Sequence, residues 1–453
     1  MAIKTLHLTN SWHETSGGIA TFYRALIEEA NRQGQQIRLV VPGERDCVED
    51  AGPFGRIYRL EAPRALLNGQ YRMIYPNQFL WAGSKLQKIL TAERPDLVEI
   101  CDKYTLNYLG ALLRRGLLPA LDFRPVVVGL SCERMDDNFR SYLGSFPMAK
   151  SFCAAYLKWI YFPFFDHHIA NSEYTAEELR TASLGHLTPR NTWIRPMGID
   201  LARLSPLRRS PELRRQLQQN CGGSESSILL LYAGRLAPEK NLPLLFRLMS
   251  LLARHGRQDF RLLIAGDGIE RKHWESYCQA EIPGRVSFLG HIKDPARLAD
   301  LMANSDAFIH PNPREPFGIA PLEAMASGLP LVAPNSGGVT SYANAENAWL
   351  APPDEQSFAS AIEEVFTNDP LRESRVQNAV RTAERFRWET VASSFLALYS
   401  QLCDAAALQT DSVPAPDFSS SQATGREDVW TRRISHGAER AFHLISSLME
   451  RPN

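Results

Sequence analysis

Short, continuous apolar runs alternate with helical patterns along most of the chain, and the series starts twice. Runs at 3–8, 37–41, 96–100, 125–130 and 168–170 are separated by helical patterns at 19–33, 78–92, 104–115 and 173–182. After a Pro- and Gly-punctuated stretch from Arg195 to Pro206, a second series occupies 228–233, 260–265, 285–289, 306–310 and 330–333, with helical patterns at 241–255, 295–303 and 355–367. Val/Ile/Leu runs without polar alternation mark parallel strands buried on both faces. Their alternation with helices makes βαβ units in doubly wound sheets. At 453 residues the chain exceeds one ordinary domain. The pattern predicts an α/β protein of two Rossmann-like domains, 1–200 and 201–385, facing a cleft. Within 386–404, Val391, Phe395, Leu398 and Leu402 recur at spacings of three and four, so this segment should be a packed helix. Residues 405–427, rich in Ala, Ser, Pro, Thr and Gln, read as a flexible linker. An amphipathic helix over 428–453 would then dock on this protein, on a second copy as a homodimer contact, or on a membrane surface through its apolar stripe.

One segment carries most of the chemistry. Glu315-Pro-Phe317-Gly318-Ile319-Ala-Pro-Leu-Glu323 lies between an apolar strand and a small-residue helix, with two carboxylates eight positions apart. Glu315 falls at the carboxyl end of a strand, where open α/β sheets bind ligands. The helix N-terminus beside it favours an anion such as a diphosphate. The second series opens with Gly234-Arg235 after its first strand and reaches Lys240 five residues later, placing two cations at the same cleft edge. Arginine clamps phosphate bidentately and lysine adds a point charge. Gly17-Gly18 opens the first helix, and Gly266-Asp267-Gly268 ends another strand. Both read as turns that also bring backbone close to a ligand.

Other chemistries lack support. Lys+Arg and Asp+Glu are both 50, so no basic excess points to nucleic acid. Seven scattered cysteines without a C-x-x-C give neither a zinc site nor a disulfide framework, and no metal is expected. The N-terminus has no apolar leader and no run approaches the ~20 residues that span a bilayer. The expectation is a cytoplasmic protein, with peripheral contact at the inner membrane face left open by the aromatic run 156–165.

In order and spacing these pieces resemble the retaining GT-B glycosyltransferases of family 4. The resemblance covers about 1–402 and includes Ala170-Asn171-Ser172-Glu173-Tyr174 and Pro196-Met197-Gly198-Ile199-Asp200. It implies transfer of a hexose from a UDP-, GDP- or ADP-sugar to an acceptor hydroxyl with retained anomeric configuration, in glycolipid, polysaccharide or other glycoconjugate synthesis. It implies no cofactor and a sugar, lipid or small-molecule acceptor. Glu315 would hold the sugar hydroxyls and Glu323 the ribose. Backbone at Phe317, Gly318 and Ile319 would line the sugar and phosphate. Arg235 and Lys240 would neutralise the leaving diphosphate, with Gly234, Gly266 and Gly268 nearby. Gly17 and Gly18 would approach when the cleft closes, and the helix near 388–402 would cross back to the first domain.

The family often has a histidine after the strand at 125–130, where this chain reads Ser131-Cys132-Glu133-Arg134-Met135-Asp136. A thiol is a weak donor and does not replace imidazole. Cys132, Glu133, Arg134 and Asp136 are the acceptor-side candidates. Two further readings stay open: a catalytically weak nucleotide-sugar-binding subunit, and a GT-B phosphorylase or synthase.

Overall fold

The computed structural model describes residues 3–12, 17–65, 71–118, 121–143, 149–183, 191–256 and 258–411. Most of the expected linker and the whole expected terminal helix lie outside them. Two sheets form. The first contains β1 (Lys4–Thr9), β2 (Gln36–Gly43), β3 (Cys47–Asp50), β4 (Gly55–Glu61), β5 (Leu97–Cys101), β6 (Val126–Ser131), β7 (His167–Ala170) and β8 (Thr192–Ile194), in the order β3-β4-β2-β1-β5-β6-β7-β8. The second contains β9 (Ile228–Ala233), β10 (Phe260–Ala265), β11 (Val286–Gly290), β12 (Ala307–Ile309), β13 (Leu331–Pro334) and β14 (Trp349–Ala351), in the order β11-β10-β9-β12-β13-β14. Pairing is parallel except for the β3–β4 edge hairpin.

The second sheet winds one way from β9 to β11 and the other way from β12 to β14. The loops leaving β9 and β12 therefore diverge and open a crevice at the strands' carboxyl ends. Buried continuous runs make this possible: Leu229, Leu230 and Leu231 in β9 and Phe308 and Ile309 in β12 are inaccessible to solvent.

Between the sheets the chain passes twice. Ile199 N–H donates to Phe386 O at 2.8 Å and Trp388 N–H to Ile199 O at 3.2 Å, so the outgoing and returning connections run side by side. Any Cβ at Gly198 would meet the Trp388 ring at 2.5 Å. The returning helix, Trp388–Asp411, buries Val391, Phe395, Leu396, Leu398, Tyr399 and Leu402. Phe395 packs on Phe22 at 4.8 Å between ring centres. Length and hydropathy alone would let this helix cross a membrane, but its apolar face is spent on the protein core. The helix also corrects the linker boundary: residues 405–411 are helical, because Ala405-Ala406-Ala407-Leu408 are strong helix formers.

A buried polar cluster joins this helix to the first sheet. Glu99 on β5 accepts from Tyr23 Oη at 3.0 Å and from Tyr399 Oη, and His7 Nδ1 stands 3.0 Å from the same carboxylate. All four side chains are inaccessible to solvent. A buried acceptor that loses a partner costs about 1–3 kcal/mol. Tyr399→Phe should therefore lower stability by about that amount, read as a reduced denaturation midpoint.

The aromatic run 156–165 is core. Tyr156, Leu157, Tyr161, Phe162, Phe164 and Phe165 are buried, and Trp159 alone among its large side chains is strongly exposed.

Candidate active site

The β9 and β12 loops meet at Glu315. Lys240 Nζ donates to both Glu315 oxygens, at 3.0 and 2.8 Å, and Asn312 Nδ2 donates to Oε2 at 3.1 Å. Lys240 ends the single turn Pro238–Lys240, and Asn241 follows with φ 54°. Asn241 Nδ2 donates to Pro311 O at 2.8 Å, which ties the two loops across the crevice. Arg235 is half-exposed and pairs with Glu239 at 3.0 Å. Lys240 thus lies inside the carboxylate cluster, whereas Arg235 sits at its rim.

The 313–318 loop is braced from behind. Gly338 N–H donates to Glu315 O at 2.6 Å, Ser336 Oγ to Pro313 O at 3.2 Å, and Tyr342 Oη to Gly318 O at 2.5 Å. Gly318 has φ 87° and caps the helix Ile319–Ala326, and a Cβ there would meet Tyr342 Oη at 2.9 Å. Only glycine suits both demands. Phe317 turns its ring into the core against Tyr342 and Phe386, so only its backbone can serve a ligand.

Three loops of the first sheet reach this segment. Gly17 opens the helix Gly17–Gln33, and a Cβ on Gly18 would stand 3.2 Å from Ile319 Cδ1. Ser172 Oγ donates to Pro316 O at 2.5 Å. Arg314 Nε lies 3.7 Å from Asp137 Oδ1. Gly234, Gly266 and Gly268 lie where two loops of the second sheet pack together. The β9 and β10 loops run in backbone contact, with Gly234 N–H on Ala265 O at 3.0 Å and Leu236 N–H on Asp267 O at 3.0 Å. A Cβ on Gly266 would fall 1.8 Å from Gly234 O, and one on Gly268 2.3 Å from Leu236 O. Backbone contact at Gly266 and Gly268, and the Tyr232 hydroxyl 2.8 Å from a Cβ on Gly234, leave no room for side chains at these positions.

The acceptor-side candidates are mostly spent on one another. Arg134 is bidentate to Asp136 at 3.0 and 2.8 Å and stacks over Tyr174 at 4.4 Å. The buried Lys103–Glu178 pair, at 2.8 Å, organises the segment: Lys103 Nζ also donates to Glu133 O, and Glu178 accepts from Met135 N–H. Glu133 accepts from Asn138 at 2.8 Å, and burial raises its pKa. Cys132 is partly buried and packs against the core beside Cys101. Among these four, the Glu133 carboxyl keeps the most unused hydrogen-bonding capacity.

The two glutamates differ electrostatically. Burial alone would raise the Glu315 pKa, but Lys240 and His310 outweigh it and hold the carboxyl down at about 2. Glu323 has no cation partner among the described residues; burial first and Asp200 second push it up to about 7. Burial and Lys240 hold His310 at about 4, so it is neutral near pH 7. A carboxylate held ionised beside an ammonium and a second carboxyl that titrates near neutrality, at the two ends of one segment, mark a candidate ligand site. Sequence reasoning missed His310, Asn312 and Tyr342. His310 directly precedes Pro311 at a strand end, a weak signal, and nothing local marks Tyr342.

Comparison with known proteins places the same halves in known families. Residues 16–203 match the model described as Glycosyltransferase Family 4, and residues 214–382 match Glycosyl transferases group 1. The chain is 28% identical over 400 residues to a GDP-mannose-dependent alpha-(1-6)-phosphatidylinositol dimannoside mannosyltransferase of Mycobacterium tuberculosis, covering 87% of this chain and 95% of that one. It is 26% identical over 424 residues to a GDP-mannose-dependent alpha-mannosyltransferase of Corynebacterium glutamicum, covering 92% of each. Sucrose-phosphate synthase from Thermosynechococcus elongatus superposes with a TM-score of 0.70 at 22% identity, over 89% of this chain and all of that one. The fold is GT-B.

Proposed function

The chain belongs to the group 1, family 4 glycosyltransferases, and from that premise we propose that it transfers a mannosyl residue from GDP-mannose to an acceptor hydroxyl with retained configuration. GDP-mannose as the donor is supported by the two relatives above, both named for it. The observation that carries the site reading is the contrast along one nine-residue segment: Glu315 charged and gripped by Lys240, Glu323 uncompensated at the other end.

In this reading Glu315 accepts from the sugar hydroxyls, Glu323 accepts from the ribose diol, and the backbone of 317–319 faces the sugar and phosphate. Lys240 and Arg235 stabilise the diphosphate as it leaves, so electrostatics rather than a metal carries the leaving group. The acceptor oxygen attacks the anomeric carbon on the face from which the phosphate departs. The sugar–phosphate bond breaks, and a phosphate oxygen takes the acceptor proton. Lys240 cannot serve Glu315 and the diphosphate equally, so donor binding must draw its ammonium partly off the carboxylate. The acceptor would enter beside Glu133, in a cytoplasmic glycoconjugate pathway.

A screen of GDP-mannose, UDP-glucose and ADP-glucose by thermal shift and nucleotide release tests this. GDP-mannose at a hundred times its dissociation constant should stabilise by about 2.7 kcal/mol, and turnover should persist in EDTA. A preference for another donor would overturn the mannose assignment. Nucleotide release abolished by EDTA and restored by a divalent cation would overturn the electrostatic one.

A further inference from the structure

His310 follows β12 directly, is 5% exposed, and takes no part in the donor contacts assigned above. Its Nε2 has no hydrogen-bond partner among the described residues, although buried polar atoms are almost always paired. It stands 3.9 Å from Glu315 Oε2. That is too long for a hydrogen bond between them. The ring's other nitrogen donates to the Asn312 backbone carbonyl, so neutral His310 offers Nε2 as an acceptor, and two neighbouring hydroxyls suit the gap, one donating to Nε2 and the next to the carboxylate. Lys240 and Asn312 already occupy the other approaches to Glu315, so this is the side on which a ligand hydroxyl can enter.

We propose that His310 Nε2 accepts from one hydroxyl of the donor sugar, next to the hydroxyl that Glu315 accepts from, which makes His310 a residue that selects the donor's hydroxyl pattern. This rests on the donor reading above. A site built around a hydroxyl rejects a sugar lacking it, because the buried polar groups are then left unpaired. A bare nucleotide has no such hydroxyl and should not sense residue 310.

Binding calorimetry on wild type, His310→Phe and His310→Asn tests this, using GDP, GDP-mannose and its four monodeoxymannose forms. His310→Phe should weaken GDP-mannose about tenfold, the loss of one hydrogen bond, and leave GDP unchanged. One monodeoxy donor should bind wild type and His310→Phe equally. His310→Asn, whose amide oxygen can accept in place of Nε2, should recover part of the affinity and guards against a folding failure. If all four monodeoxy donors lose affinity in the same ratio in His310→Phe, or GDP weakens as much as GDP-mannose, the His310 contact is overturned. Wild type that binds no nucleotide sugar at all overturns the donor reading and this proposal together.

Discussion

Glu315→Gln is expected to lower sugar transfer by about a thousandfold, the scale on which removing one preorganised electrostatic contact acts. GDP affinity should be unchanged or tighter. Glutamine nearly preserves shape but removes the charge that holds Lys240 at 2.8 Å. The freed ammonium can then give all its donors to the diphosphate, so nucleotide binding has no reason to weaken. The same change should destabilise the free protein. The Glu315 carboxyl sits at about 2 against an ordinary 4.5, a difference of about 3 kcal/mol at most. Because the folded pKa is depressed, that stability is present above pH 4.5 and is lost as pH falls towards 2. The variant should therefore differ most from wild type at neutral pH and converge with it in acid, measured by denaturant midpoints across pH. Equal loss of GDP affinity in Glu315→Gln and Glu323→Ala would contradict the division of roles.

At the other end of the segment the sign reverses. Glu323 is raised to about 7 by burial and Asp200. A carboxyl raised in the folded state favours folding below its unfolded pKa near 4.5, and that contribution is lost as pH rises through 7. Glu323→Gln should thus stabilise the free protein at pH 8, by about 1–3 kcal/mol after allowing for partial exposure, and by little at pH 5. Function should move the opposite way. A ribose diol donates two hydrogen bonds and prefers the ionised carboxylate, so donor binding must remove the proton. GDP-mannose affinity of wild type should then rise about tenfold from pH 6 to pH 8, as a group titrating near 7 requires. A nucleotide sugar is the right probe, since a terminal phosphate would titrate in the same range. The slope should vanish in Glu323→Gln, and affinity should be lower throughout. A slope that survives the substitution would assign the titration to another group. A variant both more stable and weaker in binding is the usual result where a site keeps an unpaired charge for its ligand.

Strand-by-strand, the central elements were readable because buried parallel strands are continuous apolar runs; β9 and β12 are legible on sight. The edge was not. β3 reads Cys47-Val-Glu-Asp50 and is largely exposed, so no burial pattern announces it. The polar helices Arg271–Glu281 and Asp369–Glu384 bury only two residues each, Trp274 and Cys278 in the one and Ala379 and Ala383 in the other. The helix expected at 78–92 begins only at Lys85, where Ser84 caps it, because Gly83 takes φ 78° just before. The site divides in the same way. Glu315, Gly318 and Glu323 form one local signature, and Lys240 follows a strand end recognisably.

Sequence by itself therefore determined the two-sheet architecture and the identity of the charged groups at the cleft, since both are written in local runs and spacings. Only the tertiary structure decided their states. Lys240 grips Glu315 because loops 75 residues apart in sequence leave adjacent strands of one sheet. Among the described residues Glu323 meets no cation, and Asp200, from the connection between sheets, is the charged neighbour that helps raise its pKa. His310 Nε2 is left without a partner among the described residues although it is buried beside Glu315. A side chain's type is local, but its charge and its free hydrogen-bonding capacity depend on what distant segments bring against it.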